Sequence, residues 1–210
     1  ILNTTGISFK EPEAVEIFKS HGFRVDGETV FFEESQVLKA LETVPGEFTI
    51  QARNPEKNIR IGGDRFAFGP GWAAPFVIDA DGTRRTGTLR DQENFCKLVQ
   101  TSPYLDLAAG SMAVPAEYEP KEAATRMLAA CFTLTDMPLV SNPCLERNGR
   151  EMAQMASIAW GQDVSKLDHP VSIVSVNPLS PLSYSDDTLR GLMEFARQGQ
   201  ALLISSMVLA

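Results

Sequence analysis

Imidazole is nearly absent from this chain: His21 and His169 are the two histidines in 210 residues. A Ser-His-Asp triad would have to draw on one of these two. The three cysteines, Cys96, Cys131 and Cys144, are widely spaced and form no C-x-x-C. No disulfide framework is expected, and a reducing, cytoplasmic location is the simple expectation. Zinc sites need several His or Cys ligands at short spacing, so no metal site is expected from this chain alone. Basic residues are also scarce, 19 against 27 acidic, for a net charge of −8. The densest basic cluster is Arg84-Arg85 with Arg90 nearby. That is too small to hold a phosphate backbone, so nucleic acid is not an expected partner. There is no G-x-x-x-x-G-K-[ST], hence no P-loop. The seven lysines (Lys10, Lys19, Lys39, Lys57, Lys97, Lys121 and Lys166) all fall on predicted helices or loops. A Schiff-base enzyme needs one at an apolar strand end, so that chemistry is unsupported. The C-terminal apolar run from Ala201 to Ala210 is about half the ~20 residues that span a bilayer. It reads as a buried strand, and no membrane association is expected. A start at Ile1-Leu2-Asn3 shows no charged leader. A stop just after a strand suggests a fragment.

What is present is an ordinary globular mixture, 43% hydrophobic and 22% charged. Residues 11–21 predict a helix, with Pro12 in its first turn and Gly22 at its end. Residues 23–32 predict a hairpin around Asp26-Gly27. A second helix over 34–43 carries Val37, Leu38 and Leu41 as an apolar stripe, and short strands follow near 48–52 and 58–61. Residues 1–62 therefore read as an α+β lead-in. After Gly62-Gly63 the texture changes. Arg65–Phe68 reads as a strand, and Phe76–Ile78 leads to a turn at Asp79-Ala80-Asp81-Gly82. Helices over 89–101, 121–134, 146–160 and 186–198 alternate with strands over 105–109, 138–141, 171–176 and 201–206. The strands begin about 30 to 33 residues apart, which predicts right-handed βαβ units and a parallel α/β sheet. The strands are apolar throughout, as strands covered on both faces are. An open doubly wound sheet and a (βα)8 TIM barrel both fit. Polar residues at successive strand ends (Gly110-Ser111, Ser141-Asn142, Ser175-Val176-Asn177, Ser205-Ser206) favour the barrel, whose sites lie there. With Arg65–Phe68 as the first strand, residues 63–210 hold five of the eight strands that closure needs, the first part of an incomplete barrel.

Several stretches could carry chemistry. Gly69-Pro70-Gly71-Trp72-Ala73-Ala74 spells G-x-G-x-x-A, but Pro75 and a strand follow where a dinucleotide site needs a helix. A wall at a site entrance, lined by Trp72 and Phe76, is the better reading, beside a plain Gly-Pro turn. Asn177 and Tyr184 flank a proline-stiffened loop after the 171–176 strand and could present an amide and a ring at the barrel mouth; the bland alternative is that Asn177 ties down its own loop. Cys144, in the loop after Asn142-Pro143, could be a nucleophile or a small packing residue. Glu117, Tyr118 and Glu119 could meet a cationic ligand, or be solvated loop residues.

An ordered set of short motifs resembles the trimethylamine methyltransferase family. The set comprises Ala52-Arg53-Asn54-Pro55-Glu56, Ile61-Gly62-Gly63, Phe68-Gly69-Pro70-Gly71, Pro75-Phe76-Val77, Asp81-Gly82-Thr83-Arg84-Arg85, Thr133-Leu134-Thr135-Asp136-Met137-Pro138 and Asn177-Pro178-Leu179-Ser180-Pro181-Leu182. The resemblance covers essentially the whole chain. It implies a (βα)8 barrel and chains that continue well past residue 210. It implies methyl transfer from an amine such as trimethylamine or glycine betaine to the Co(I) of a corrinoid held by a separate protein. Some members contain pyrrolysine, at a position outside this sequence. Trp72, Phe76, Asn142, Asn177 and Tyr184 are then the expected substrate-side residues, and Gly69, Gly71 and Ser111 the expected corrinoid-side residues. The expected partners are a corrinoid protein and a small amine, and a homo-oligomer is compatible. The readings of other classes are a non-catalytic remnant that binds a small molecule or docks a corrinoid protein, and another barrel enzyme such as a lyase.

Overall fold

The computed structural model describes residues 1–141 and 143–205. The chain opens with a small mixed unit. Strands β1 (Ile7–Phe9), β2 (Arg24–Asp26) and β3 (Thr29–Phe31) pair antiparallel around helix α1 (Pro12–Ser20). The Glu11 carboxylate accepts from Ala14 N and caps α1, and Pro12 takes the first turn, so the helix starts where the sequence predicts. Phe9, Phe18, Phe23 and Phe32 form an edge-and-tilt ring cluster in its core. Helix α2 (Glu34–Leu41) follows with a Glu33/Gln36 capping box. Its predicted apolar stripe is not buried: Leu38 and Leu41 are 54% and 58% exposed.

Strands β4 (Glu47–Ile50) and β5 (Ile59–Gly62) make a separate hairpin, and β6 (Phe76–Ile78) and β7 (Arg84–Thr86) make another. The helices and sheet then alternate as α3 (Leu89–Thr101), β8 (Ala108–Ala109), α4 (Pro120–Leu134), β9 (Leu139–Val140), α5 (Glu146–Trp160), β10 (Ser172–Val176), β11 (Ser183–Tyr184), α6 (Asp186–Arg197) and β12 (Ala201–Ile204). Strands β8, β9, β10 and β12 are all parallel and lie side by side in chain order. Consecutive helices from α3 to α6 pack on one another. The order never reverses among the described residues, unlike the switch that defines a doubly wound sheet.

Three sequence expectations need correction. Arg65–Phe68 forms no ladder; only Arg65 bridges, to Gly62. Its place is nonetheless beside β8. The Phe68 carbonyl accepts from Asp106 N and Leu107 N, and Ala74 bridges Ala113 in parallel. A regular strand fails here because the Asp106 carboxylate captures Phe68 N–H and Pro70 has none to give. The 105–109 strand shrinks to Ala108–Ala109 for the same reason. Third, Ser183-Tyr184, expected in a site loop, instead adds β11 to the lead-in sheet, parallel to β1. Ser206, in the last expected strand, lies outside the described residues.

The register decides which residues share a face. Ala109, Val140, Ile173 and Ala201 align across the four strands, and Ser175 aligns with Leu203 one pleat further on. The opposite face carries Ala108, Leu139, Ser172, Val174 and Val176, all buried. The face of Ile173 and Ser175 is the more open one toward β12.

The β4–β5 hairpin sits at the N-terminal ends of the parallel strands. Gln51 N donates to the Pro170 carbonyl just before β10, and Asn54 N donates to the Asp136 carbonyl just before β9. Lys57 Nζ reaches Asp136 Oδ1 at 2.7 Å, Gln100 Nε2 reaches the same oxygen at 2.8 Å, and Arg53 donates to the Phe132 and Thr135 carbonyls. Two of the motifs, Ala52–Glu56 and Thr133–Pro138, thus meet in a structural clamp.

Candidate functional site

The end of the sheet opposite that hairpin is where polar side chains gather. Ser175 ends the open face of β10, Asn177 follows it, and Ser205 follows β12. Ser205 Oγ donates to Asn177 Oδ1 at 2.9 Å, and the two serine hydroxyls are 3.3 Å apart. Asn177 is exposed. Its amide therefore holds two strand ends together and still borders solvent. Ser141, at the end of β9, is buried with no partner for its hydroxyl among the described residues. Asn142 lies outside the described residues.

Trp72, Phe76 and Gly71 come together in a second place. They line an apolar cleft of about 690 Å³ between the β6–β7 hairpin, the 70–74 segment and α3. Ala74, Ile78, Phe95, Leu98 and Met112 complete most of its wall. Trp72 is 49% exposed, so its ring faces solvent as well as cleft. Phe76 has only one face to offer, because the Arg84 guanidinium lies 3.8 Å from the centre of its ring. Ala73 adopts a left-handed φ of 61°, a conformation non-glycine residues seldom take. It is held there by Ala73 N donating to the Ser111 carbonyl at 2.6 Å and Ala74 N donating to the Met112 carbonyl at 3.2 Å. Ser111 is thus buried behind the Trp72 segment and supports it through its backbone.

The remaining expected residues are placed as follows. A Cβ on Gly71 would meet open space, and one on Gly69 would make ordinary contact with Leu107 and Val140 on the open face of the sheet. Neither glycine is demanded by packing. The Tyr184 ring stacks on Phe9 with centroids 5.5 Å apart, bridging the lead-in and the helical layer, and burial pushes its hydroxyl pKa up. Cys144 is buried, and desolvation pushes its thiol up to about 12, which supports the packing reading over the nucleophile. Glu117 accepts from Leu89 N at the start of α3, Tyr118 lies under the Arg126 guanidinium of α4, and Glu119 holds the N-cap position of α4 with only its backbone carbonyl accepting, from Ala123 N.

Two features escaped sequence reasoning. Arg85 is gripped by two carboxylates: Nε and Nη2 bind Asp79 at 2.7 and 2.9 Å, and Nη1 and Nη2 bind Asp91 at 2.7 and 2.8 Å. The guanidinium and the Thr88 cap hold the Asp91 carboxyl far below the usual range. Gln92 is fully buried, and its amide is spent on the loop after β8. Its signal was a lone polar residue on the α3 stripe of Gln92, Cys96 and Val99, spaced four and three apart.

Among the described residues, no helix is long and apolar enough to cross a membrane, and no cluster of three or more His, Cys, Asp or Glu could hold a metal ion.

Comparison with known proteins gives a consistent outcome. The family model for trimethylamine methyltransferase matches residues 1–210. The chain is 37% identical, over its full length, to a glycine betaine methyltransferase of Desulfitobacterium hafniense strain Y51. It is 30% identical over 97% of its length to a proline betaine:corrinoid methyltransferase of Eubacterium limosum. It is 26% identical over 99% of its length to a trimethylamine methyltransferase of Desulfitobacterium hafniense strain DSM 10664 / DCB-2. The chain spans 44%, 43% and 42% of these relatives' own lengths.

Proposed function

The chain belongs to the trimethylamine methyltransferase family, and from that premise we propose that it is part of an enzyme that moves a methyl group from a quaternary or tertiary amine to a corrinoid carried by a partner protein. The observation that supports this best is that half-exposed Trp72 and the free face of Phe76, whose other face carries Arg84, line one cleft with no carboxylate or ammonium in its lining. A trimethylammonium group is held by aromatic faces, and a quaternary amine departs neutral, so it asks for no general acid. Co(I) of the corrinoid supplies the nucleophile. The protein's task is then to orient the methyl group and keep water out. Trp72 and Phe76 grip the cation. Asn177, with Ser175 and Ser205, offers hydrogen bonds at the strand ends, where a barrel places its site. Asn142 and Tyr184 remain substrate-side assignments of this reading.

The residues assigned to the corrinoid fit a cofactor presented from outside. Gly71 borders open space, and Gly69 lies over Leu107 and Val140 on the open face of the sheet. The loop they form, backed by Ser111, lets a large ring approach the Trp72 edge without side-chain obstruction. In this reading residues 1–62 are a lead-in and residues 63–210 the first part of a (βα)8 barrel, working in the cytoplasm. The sequential parallel order of the four strands supports it.

The test mixes the whole protein with a Co(I) corrinoid protein and, in turn, glycine betaine, proline betaine, carnitine and trimethylamine, and follows corrinoid absorbance as the cobalt is methylated. Methylation with at least one amine is expected. No change with any of them, while the amines still bind, would favour a binding or docking protein.

A further inference from the structure

We infer that Gln92 is a positioning residue that sets the Trp72 wall of the cleft through the loop after β8; its substrate consequence rests on the methyltransferase reading above. Gln92 lies on the inner face of α3 with no exposed surface. Its Oε1 accepts from Met112 N at 2.7 Å and Ala113 N at 3.0 Å, and its Nε2 donates to the Ala109 carbonyl at 3.3 Å. One side chain therefore ties both sides of the turn at residues 109–113. The Ser111 and Met112 carbonyls of that turn fix Ala73 and Ala74, on either side of the strained φ that presents Trp72. Met112 itself lines the cleft.

The neighbouring residue acts on the hairpin side of the cleft. Asp91 holds Arg85 of β7, and β7 pairs with the strand that carries Phe76 and Ile78. Consecutive residues of one helix thus reach two parts of the cleft lining. A buried amide whose Oε1 accepts from two backbone N–H groups admits one arrangement of those partners, and an apolar replacement leaves Met112 N and Ala113 N without that acceptor. That is the property a positioning residue needs, and it separates Gln92 from a mere core filler.

The experiment uses the whole protein labelled with 5-fluorotryptophan, with the Trp72 resonance identified by its disappearance in Trp72→Phe. Gln92→Met is compared with Val164→Ala, a buried substitution elsewhere in the core, and with Gln92→Glu, which keeps acceptor oxygens for Met112 and Ala113. For Gln92→Met we expect a shifted or broadened Trp72 resonance. We also expect KM for the best amine to rise about tenfold, with kcat within about threefold, because a wall used equally in ground and transition states acts on KM. Val164→Ala should alter neither, and Gln92→Glu should lie between. An unmoved Trp72 resonance in both Gln92 variants would overturn the inference, as would a moved resonance with an unchanged KM. If the parent protein methylates no corrinoid yet Gln92→Met moves the resonance, the methyltransferase reading fails and the positioning of Trp72 by Gln92 stands.

Discussion

At the scale of single residues, Trp72 is the side chain on which the substrate reading turns. Trp72→Ala should weaken binding of a quaternary amine by about 1–2 kcal/mol, the range for a cation–π contact that is partly to fully desolvated. Calorimetric titration checks this, and unchanged affinity would remove Trp72 from the site. Asp91 carries a pH prediction. Its folded pKa lies below its unfolded value, so its stabilisation is complete above the unfolded value near 4 and disappears as pH falls toward the folded one. Asp91→Asn should cost about 1–3 kcal/mol at neutral pH. It should also flatten the acid limb of a denaturation series, and an unaltered limb would contradict the Arg85 grip. Trp72 and Phe76 were legible because a G-P-G-W turn next to a short aromatic strand is visible in one dimension. The partner of Phe76 was not. Arg84 comes across a hairpin whose second strand, Arg84-Arg85-Thr86, is too polar to stand out as a strand. Gln92 was hidden for another reason: its amide matters only once β8 lies above α3.

At the scale of elements, the helices were almost fully legible and the strands were not. Thr88 with Asp91, Pro120 in a first turn, and Ser185 ahead of Asp186 mark helix starts within the chain itself. Strand β11 is two residues long and joins a ladder only through β1, about 175 positions away. No local pattern announces that. The α5–α6 crossing makes the sharpest element-level prediction. A Cβ on Gly191 would fall 2.5 Å from the Cys144 carbonyl group, which is backbone and has no rotamer to yield. Gly191→Ala should therefore destabilise by about 1–3 kcal/mol, or more, by forcing the helices apart. The intrinsic preference for alanine over glycine in a helix works the opposite way by about 1 kcal/mol and is too small to rescue it. A melting temperature at or above the parent's would refute the packing argument.

At the scale of the whole molecule, the alternation and spacing of strands and helices already pointed to a parallel sheet, and the sequential order of β8, β9, β10 and β12 agrees. What spacing could not convey is how the lead-in attaches. Phe9, Val30, Leu189 and Met193 share one apolar cluster, so α6 is tied to strands near the start of the chain. The exposed Leu203 and Ile204 of β12 carry a prediction of their own. Residues 1–210 produced alone should self-associate, and Leu203→Lys with Ile204→Lys should suppress it in sedimentation runs; equal association in both would acquit this strand. The β4–β5 hairpin, bonded to the residues just ahead of β9 and β10, has a kinetic consequence. Among the described residues that hairpin occupies one end of the sheet, and under the function proposed above both ligands would come to the other. Amine and corrinoid protein would then have to queue, the small molecule going in first and the large one shutting it inside. Turnover should follow a compulsory order, and an excess of the corrinoid protein should slow the enzyme by blocking the amine's way in.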